Sequence, residues 1–156
     1  MSKRDYDNYF KSKKHTIKKD LVNTFMLYKH GSKCDFMMSN GYSIILVNSM
    51  YTDYVENNKY KDYLFRMFET FSDKNKTSVI ETLELETIKD KVNEKNEYDY
   101  NKDYAIDYTL LKKIADVIGG KQVNIIDTSK YVSHDITIEV IGKDNQVGYL
   151  LPMRRY

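Results

Sequence analysis

The chain of 156 residues has no tryptophan, one cysteine, one proline and six glycines. With Cys34 alone, neither an intramolecular disulfide nor a multi-cysteine zinc site can form, so nothing calls for an oxidising compartment. No activating histidine stands near Cys34 in sequence, which reads it as a small hydrophobic residue rather than a nucleophile. Long hydrophobic runs are also missing: nothing approaches the ~18 uninterrupted apolar residues of a spanning helix. The basic start, Met1-Ser2-Lys3-Arg4, has no apolar stretch behind it. Neither export nor membrane insertion is expected, and a cytoplasmic setting is the simplest reading. A strong charge of either sign is absent as well. Lys plus Arg total 25 against 23 Asp plus Glu, a net +2, so any nucleic-acid contact must come from local clustering.

The chemistry of common active sites is equally sparse. His15, His30 and His134 lie far apart and form no helical pair of ligands, so no metal and no cofactor is called for. Gly31-Ser32-Lys33 and Gly119-Gly120-Lys121 are fragments of a phosphate loop without its full glycine spacing, and they read as helix stops. Carboxylates crowd residues 81–107, where no catalytic pair stands out. No enzymatic activity is expected.

What is present fits one globular domain: 41% hydrophobic and 31% charged residues, with a mean hydropathy of −0.66. The 15 tyrosines, with abundant Lys and Asn, reflect an AT-rich coding bias and carry no mechanism. Ile17, Leu21, Phe25 and Tyr28 recur at helical spacing, which predicts a helix from His15 to His30 ended by Gly31. Its other face would carry Lys14, Lys18 and Lys19. Lys33–Ser39 and Tyr42–Ser49 read as strands of a hairpin whose Asn40-Gly41 link suits a type I′ turn. The unbroken Ile44-Ile45-Leu46-Val47 run predicts a strand covered on both faces.

Further along, Tyr60, Tyr63, Leu64, Met67, Phe68 and Phe71 predict an amphipathic helix over about 58–71, and Thr77–Glu86 an exposed or edge strand. Residues 89–102 read as a solvated connection with a short helix at its start. Tyr104-Ala105-Ile106 is a short strand, and Asp107 is placed to cap a helix with Leu110, Leu111, Ile114, Val117 and Ile118 on its apolar face and Lys112 and Lys113 off it. Gly119-Gly120 supplies its left-handed stop. Strands are predicted at Gln122–Asp127, Asp135–Ile141 and Val147–Met153. The expected class is α+β: two helix-plus-antiparallel-sheet units at about 10–50 and 100–156, with an insertion or connection over 51–99 that holds a helical segment near 51–76.

The terminal Gly148-Tyr149-Leu150-Leu151-Pro152-Met153-Arg154 resembles the end of the bacterial sliding clamp, the β subunit of DNA polymerase III, where an apolar strand runs into Pro, an apolar residue and Arg. The strand-helix unit of Tyr104–Gly120 and the Val-Asn-Ile-Ile and Thr-Ile-Glu-Val strands follow the order of the last clamp unit. Met38-Ser39-Asn40-Gly41-Tyr42-Ser43-Ile44 is similar to the clamp turn, with Asn40 and Ser43 replacing the usual Asp and basic residue. The resemblance spans roughly 15–49 and 103–156 and implies a single clamp-like domain. It implies that Lys14, Lys18, Lys19, Lys112 and Lys113 face duplex DNA without reading bases. It also implies a pocket for linear motifs of replication proteins, with Gly41, Tyr42 and Ile44 on one wall and Leu151, Pro152, Met153 and Arg154 on the other. Encircling DNA would require a homo-oligomer closed head to tail. The competing reading is a monomeric interaction module of a phage or mobile element that binds or mimics a host replication or defence protein.

Overall fold

The computed structural model describes residues 4, 8, 23–31, 33–51 and 60–155. The described chain runs β1 (Asn23–His30), β2 (Lys33–Ser39), β3 (Ser43–Tyr51), α1 (Lys61–Ser72), β4 (Ser78–Glu84), α2 (Leu85–Asp90), β5 (Glu97–Asp99), β6 (Tyr104–Asp107), α3 (Tyr108–Ile118), β7 (Gln122–Asp127), β8 (Ile136–Ile141), β9 (Val147–Leu150) and β10 (Met153–Arg154). Seven strands form one sheet in the order β1-β2-β3-β9-β8-β7-β4, and β10-β6-β5 form a second. Every pairing is antiparallel. The class is α+β.

Period-two alternation sends the large sheet's side chains to two cores. Phe36, Met38, Ile45, Val47, Val123, Ile125, Ile138, Val140 and Leu150 meet Leu111, Ile114 and Ile118 of α3, together with Ile88 of α2 and Ile106 of β6. Met37 and Ile44 point the other way, with Phe25, onto Leu64 of α1, and Ile126 and Tyr149 meet Phe71. Helices α1 and α3 therefore cover opposite faces. The predicted double coverage of 44–47 is observed, with Ile44 under α1 and Ile45 and Val47 under α3.

Local signals build α3 as expected. The Asp107 carboxylate accepts a hydrogen bond from the Leu110 amide at 3.3 Å, and Gly119 closes the helix at φ 70°. The helix sits close on the sheet because Gly148 lies beneath it. A Cβ there would come within 2.8 Å of Ile114 and 2.9 Å of Ile45.

Four expectations are corrected. Residues 23–30 are strand rather than the second half of a helix from His15 to His30, and 15–22 lie outside the described residues. The Phe25-Met26-Leu27 run alternates across the sheet, Phe25 and Leu27 toward α1 and Met26 toward α3, and pairing along β2 outweighs the helical spacing. The Asn40-Gly41 link is not a type I′ turn, since only Gly41 has positive φ (90°). The Asn40 side chain instead closes a longer loop, its oxygen accepting from the Tyr42 and Ser43 amides and the Ser43 hydroxyl. Val147–Met153 is not one strand: β9 ends at Leu150, and Pro152, which has no N–H to donate, precedes the crossing of the chain into the small sheet as β10. The charged 89–102 stretch also holds β5, which the sequence reading treats as connection. The helix expected near 51–76 is α1, and the edge strand expected at 77–86 is β4, hydrogen-bonded to β7 at the far edge of the large sheet.

Candidate protein-binding surface

The hairpin loop and the C-terminal tail come together at one end of the large sheet. β3 pairs with β9, Ser43 opposite Leu150, and the register continues into the loop, where the Leu151 amide donates to the Tyr42 carbonyl at 3.0 Å. Asn40 is almost fully buried and fixes the loop through its side-chain oxygen, so the exposed Gly41 and Tyr42 project from a rigid support. Tyr42 is 38% exposed.

Of the residues assigned to the two pocket walls, Gly41, Tyr42 and Leu151 are brought together. Ile44 points into the core beneath α1, against Phe25, Met37 and Leu64. Pro152 is buried. Met153 and Arg154 belong to β10, paired with Ala105 and Tyr104 of β6. The Arg154 guanidinium donates to the Ser133 carbonyl, and Arg155 pairs with Asp99. Beside them the Tyr104 hydroxyl donates to the Asp135 carboxylate at 3.2 Å and accepts from the Asp135 amide at 3.1 Å. Burial, with the cationic Arg154 nearby, holds His134 below the ordinary imidazole range, and Asp135 only partly opposes this.

The residues assigned to DNA are distributed differently. Lys14, Lys18 and Lys19 lie outside the described residues. Lys112 is exposed on α3 and bonds Asp116 one turn on at 2.9 Å, while Lys113 is half-buried. Among the described residues no group of three His, Cys, Asp or Glu side chains is placed to hold a metal ion, and no helix is long and apolar enough to cross a membrane.

Sequence reasoning missed a buried polar cluster on the α1 face. Glu139, only 1% exposed, accepts from the Tyr149 hydroxyl at 2.8 Å, from the Asn124 amide at 2.9 Å and from the Lys74 ammonium at 3.3 Å. Thr82 bonds the Asn124 oxygen at 2.7 Å and carries the cluster to β4. A lone Glu alternating with aliphatic residues reads as the solvent side of a strand. The one available signal is Tyr149, which the register places directly opposite Glu139. With its oxygens bonded from three sides, Glu139 ties β7, β8 and β9 to the loop after α1.

No family model, no curated protein and no solved structure matches the chain.

Proposed function

We propose that this chain is a non-catalytic protein-binding module whose contact surface centres on Tyr42 and Leu151. The single observation that carries the reading is the Leu151 to Tyr42 backbone bond, which joins the hairpin loop to the tail and leaves the Tyr42 ring partly in solvent. An aromatic side chain on a fixed loop gives contact area at low entropic cost. The resemblance to the sliding clamp makes the partner a short linear motif of a replication protein. Protein binding is favoured over the duplex-DNA half of the expectation. Among the described residues the helices α1 and α3 do not share a face on which lysines would line a phosphate track, and Lys112 already neighbours Asp116.

The test is fluorescence anisotropy of a labelled peptide carrying the clamp-binding motif of a bacterial replicative polymerase. Saturable binding is expected, weakened about tenfold or more by Tyr42→Ala. Leu151→Ala should also weaken it, and a thermal melt separates loss of contact from loss of core packing. Binding that is absent, or indifferent to Tyr42→Ala, overturns the reading. Retention of duplex DNA that falls steeply between two salt concentrations restores the DNA reading in its place.

A further inference from the structure

The large sheet ends at β1, and among the described residues no strand lies along its outer edge. An antiparallel strand in that position turns alternate backbone N–H and C=O groups toward the open side. The strand reads Asn-Thr-Phe-Met-Leu-Tyr-Lys-His and contributes no carboxylate. Between it and α1 lies an open groove of about 540 Å³. Phe25, Met26 and Leu27 line the strand side. Because alternation points Phe25 and Leu27 toward α1 and Met26 toward α3, a lining made of all three places the groove along the backbone edge of the strand.

The helix side supplies charge and an exposed ring. Leu64 and Phe71 of α1 enter the core, whereas Lys61, Phe65 and Arg66 stay exposed, Phe65 at 42%. The Lys61 ammonium lies 5.5 Å from the centroid of the Phe25 ring, which keeps a cation over the apolar floor. Among the described residues neither Lys61 nor Arg66 is in an ion pair, and Asp62 is the one carboxylate in the lining. A groove between an edge strand and a helix, apolar at its floor and cationic at its rim, matches a ligand with a backbone to pair, apolar side chains to bury and negative charge to place.

We infer that this groove binds an extended acidic-apolar segment of another protein, which adds to the sheet as a strand along β1. Main-chain bonds to the open edge supply the part of the affinity that is independent of sequence. Every second side chain of the added strand turns toward α1, an aromatic or aliphatic one resting on Phe25 and Phe65 and an acidic one reaching Lys61 or Arg66. A single-stranded nucleic acid would also be drawn to cations beside a ring, but it makes no use of the strand edge, and Asp62 interrupts a phosphate track. The groove uses none of the Tyr42–Leu151 surface, so the inference stands or falls separately from the proposed function.

The experiment is selection of a displayed library of random nine-residue peptides on the full chain and on its Tyr42→Ala variant, which removes competition from the first surface. The most enriched peptide is then labelled and titrated by fluorescence anisotropy. Selected peptides are expected to carry Asp or Glu two residues from an aromatic or aliphatic residue, and to bind wild type and Tyr42→Ala equally. Lys61→Glu with Arg66→Glu is expected to weaken binding about tenfold or more. In a selection of its own that variant should enrich Lys and Arg instead, a reversal that misfolding does not produce. Methylating alternate backbone amides of the peptide is expected to weaken binding in one register and not in the other, as an added strand requires. No acidic enrichment, binding indifferent to the charge reversal, or binding indifferent to methylation in both registers overturns the inference. Binding of oligothymidylate lost in the same variant gives the groove to a nucleic acid, and self-association lost in it gives the groove to a second copy; either result overturns the inference as well.

Discussion

Against α3, the strands of the large sheet present Phe36, Met38, Ile45, Val47, Val123, Ile125, Ile138, Val140 and Leu150, and the small sheet and Ile88 extend the cover. Against α1, the same strands present Met37, Ile44, Ile126 and Tyr149 in two smaller clusters, with Glu139, Thr137 and Asn124 between and beside them. The difference follows from how much each side has to cover it. Seven strands at about 4.8 Å spacing make a sheet ~29 Å wide. One helix of 12 residues is about 18 Å long and roughly 10 Å across. Among the described residues α1 is the one helix on its face, which leaves part of that face to polar side chains, whereas α3 shares its face with a second sheet and a second helix. The α3 face is held by apolar burial, and the α1 face by aromatic packing around a hydrogen-bonded carboxylate, with Phe68 and Phe71 against Tyr149 at 5.6 and 5.4 Å.

The comparison breaks most sharply on the α3 side. Ile138→Ala removes a fully buried side chain from the largest apolar cluster, and unfolding in urea should show a loss of about 2–5 kcal/mol. A loss well under 1 kcal/mol would mean that this face is not close-packed.

Tyr149→Phe tests the other face. It removes one donor from a buried carboxylate that keeps two, so the expected cost is about 1–3 kcal/mol. The variant also has a signature in pH. Burial, reinforced by the Glu139 carboxylate, pushes the Tyr149 hydroxyl well above the ordinary phenol range. Above about pH 10 the unfolded chain has lost this proton and the folded chain keeps it, so the stability it contributes is complete below that pH and declines above it. In the variant the decline should be shallower by up to about 1.4 kcal/mol per pH unit, measured by urea unfolding between about pH 9 and 11. An unchanged slope would remove the Tyr149 to Glu139 bond from the account.

Lys74→Ala should have the smallest effect. Its side chain is 66% exposed, and Glu139 keeps the Tyr149 and Asn124 bonds, so the loss expected by the same unfolding measurement is under about 1 kcal/mol. A larger loss would show that the α1 face depends on a buried ion pair and would widen the contrast with the α3 face.

The expected site was partly legible. Asn40-Gly41 located the loop and the Pro-containing tail located its neighbour, because both are written in a few consecutive residues. The clamp resemblance implies the same walls for Ile44, Met153 and Arg154, and strand alternation and the crossing at Pro152 turn them elsewhere. Glu139 was not legible as a buried residue, since its partners come from β7, β9 and the loop after α1. The edge position of β4 was legible from its exposed alternation, whereas that of β1 was not, since the strand order crosses from β3 to β9 and sets 23–30 at the other side.

The amino-acid sequence by itself determined α3, from the Asp107 cap to the Gly119 stop, the Gln122–Asp127 strand, and the existence of the β2–β3 hairpin. Their signals are caps, turn residues and periodicity within one element, and the backbone satisfies them locally. Only the tertiary structure decided that 23–30 is strand, that the tail divides between two sheets, and that α1 and α3 lie on opposite faces. An apolar run such as Phe25–Tyr28 suits either periodicity, and the partner strand and the face left uncovered select between them.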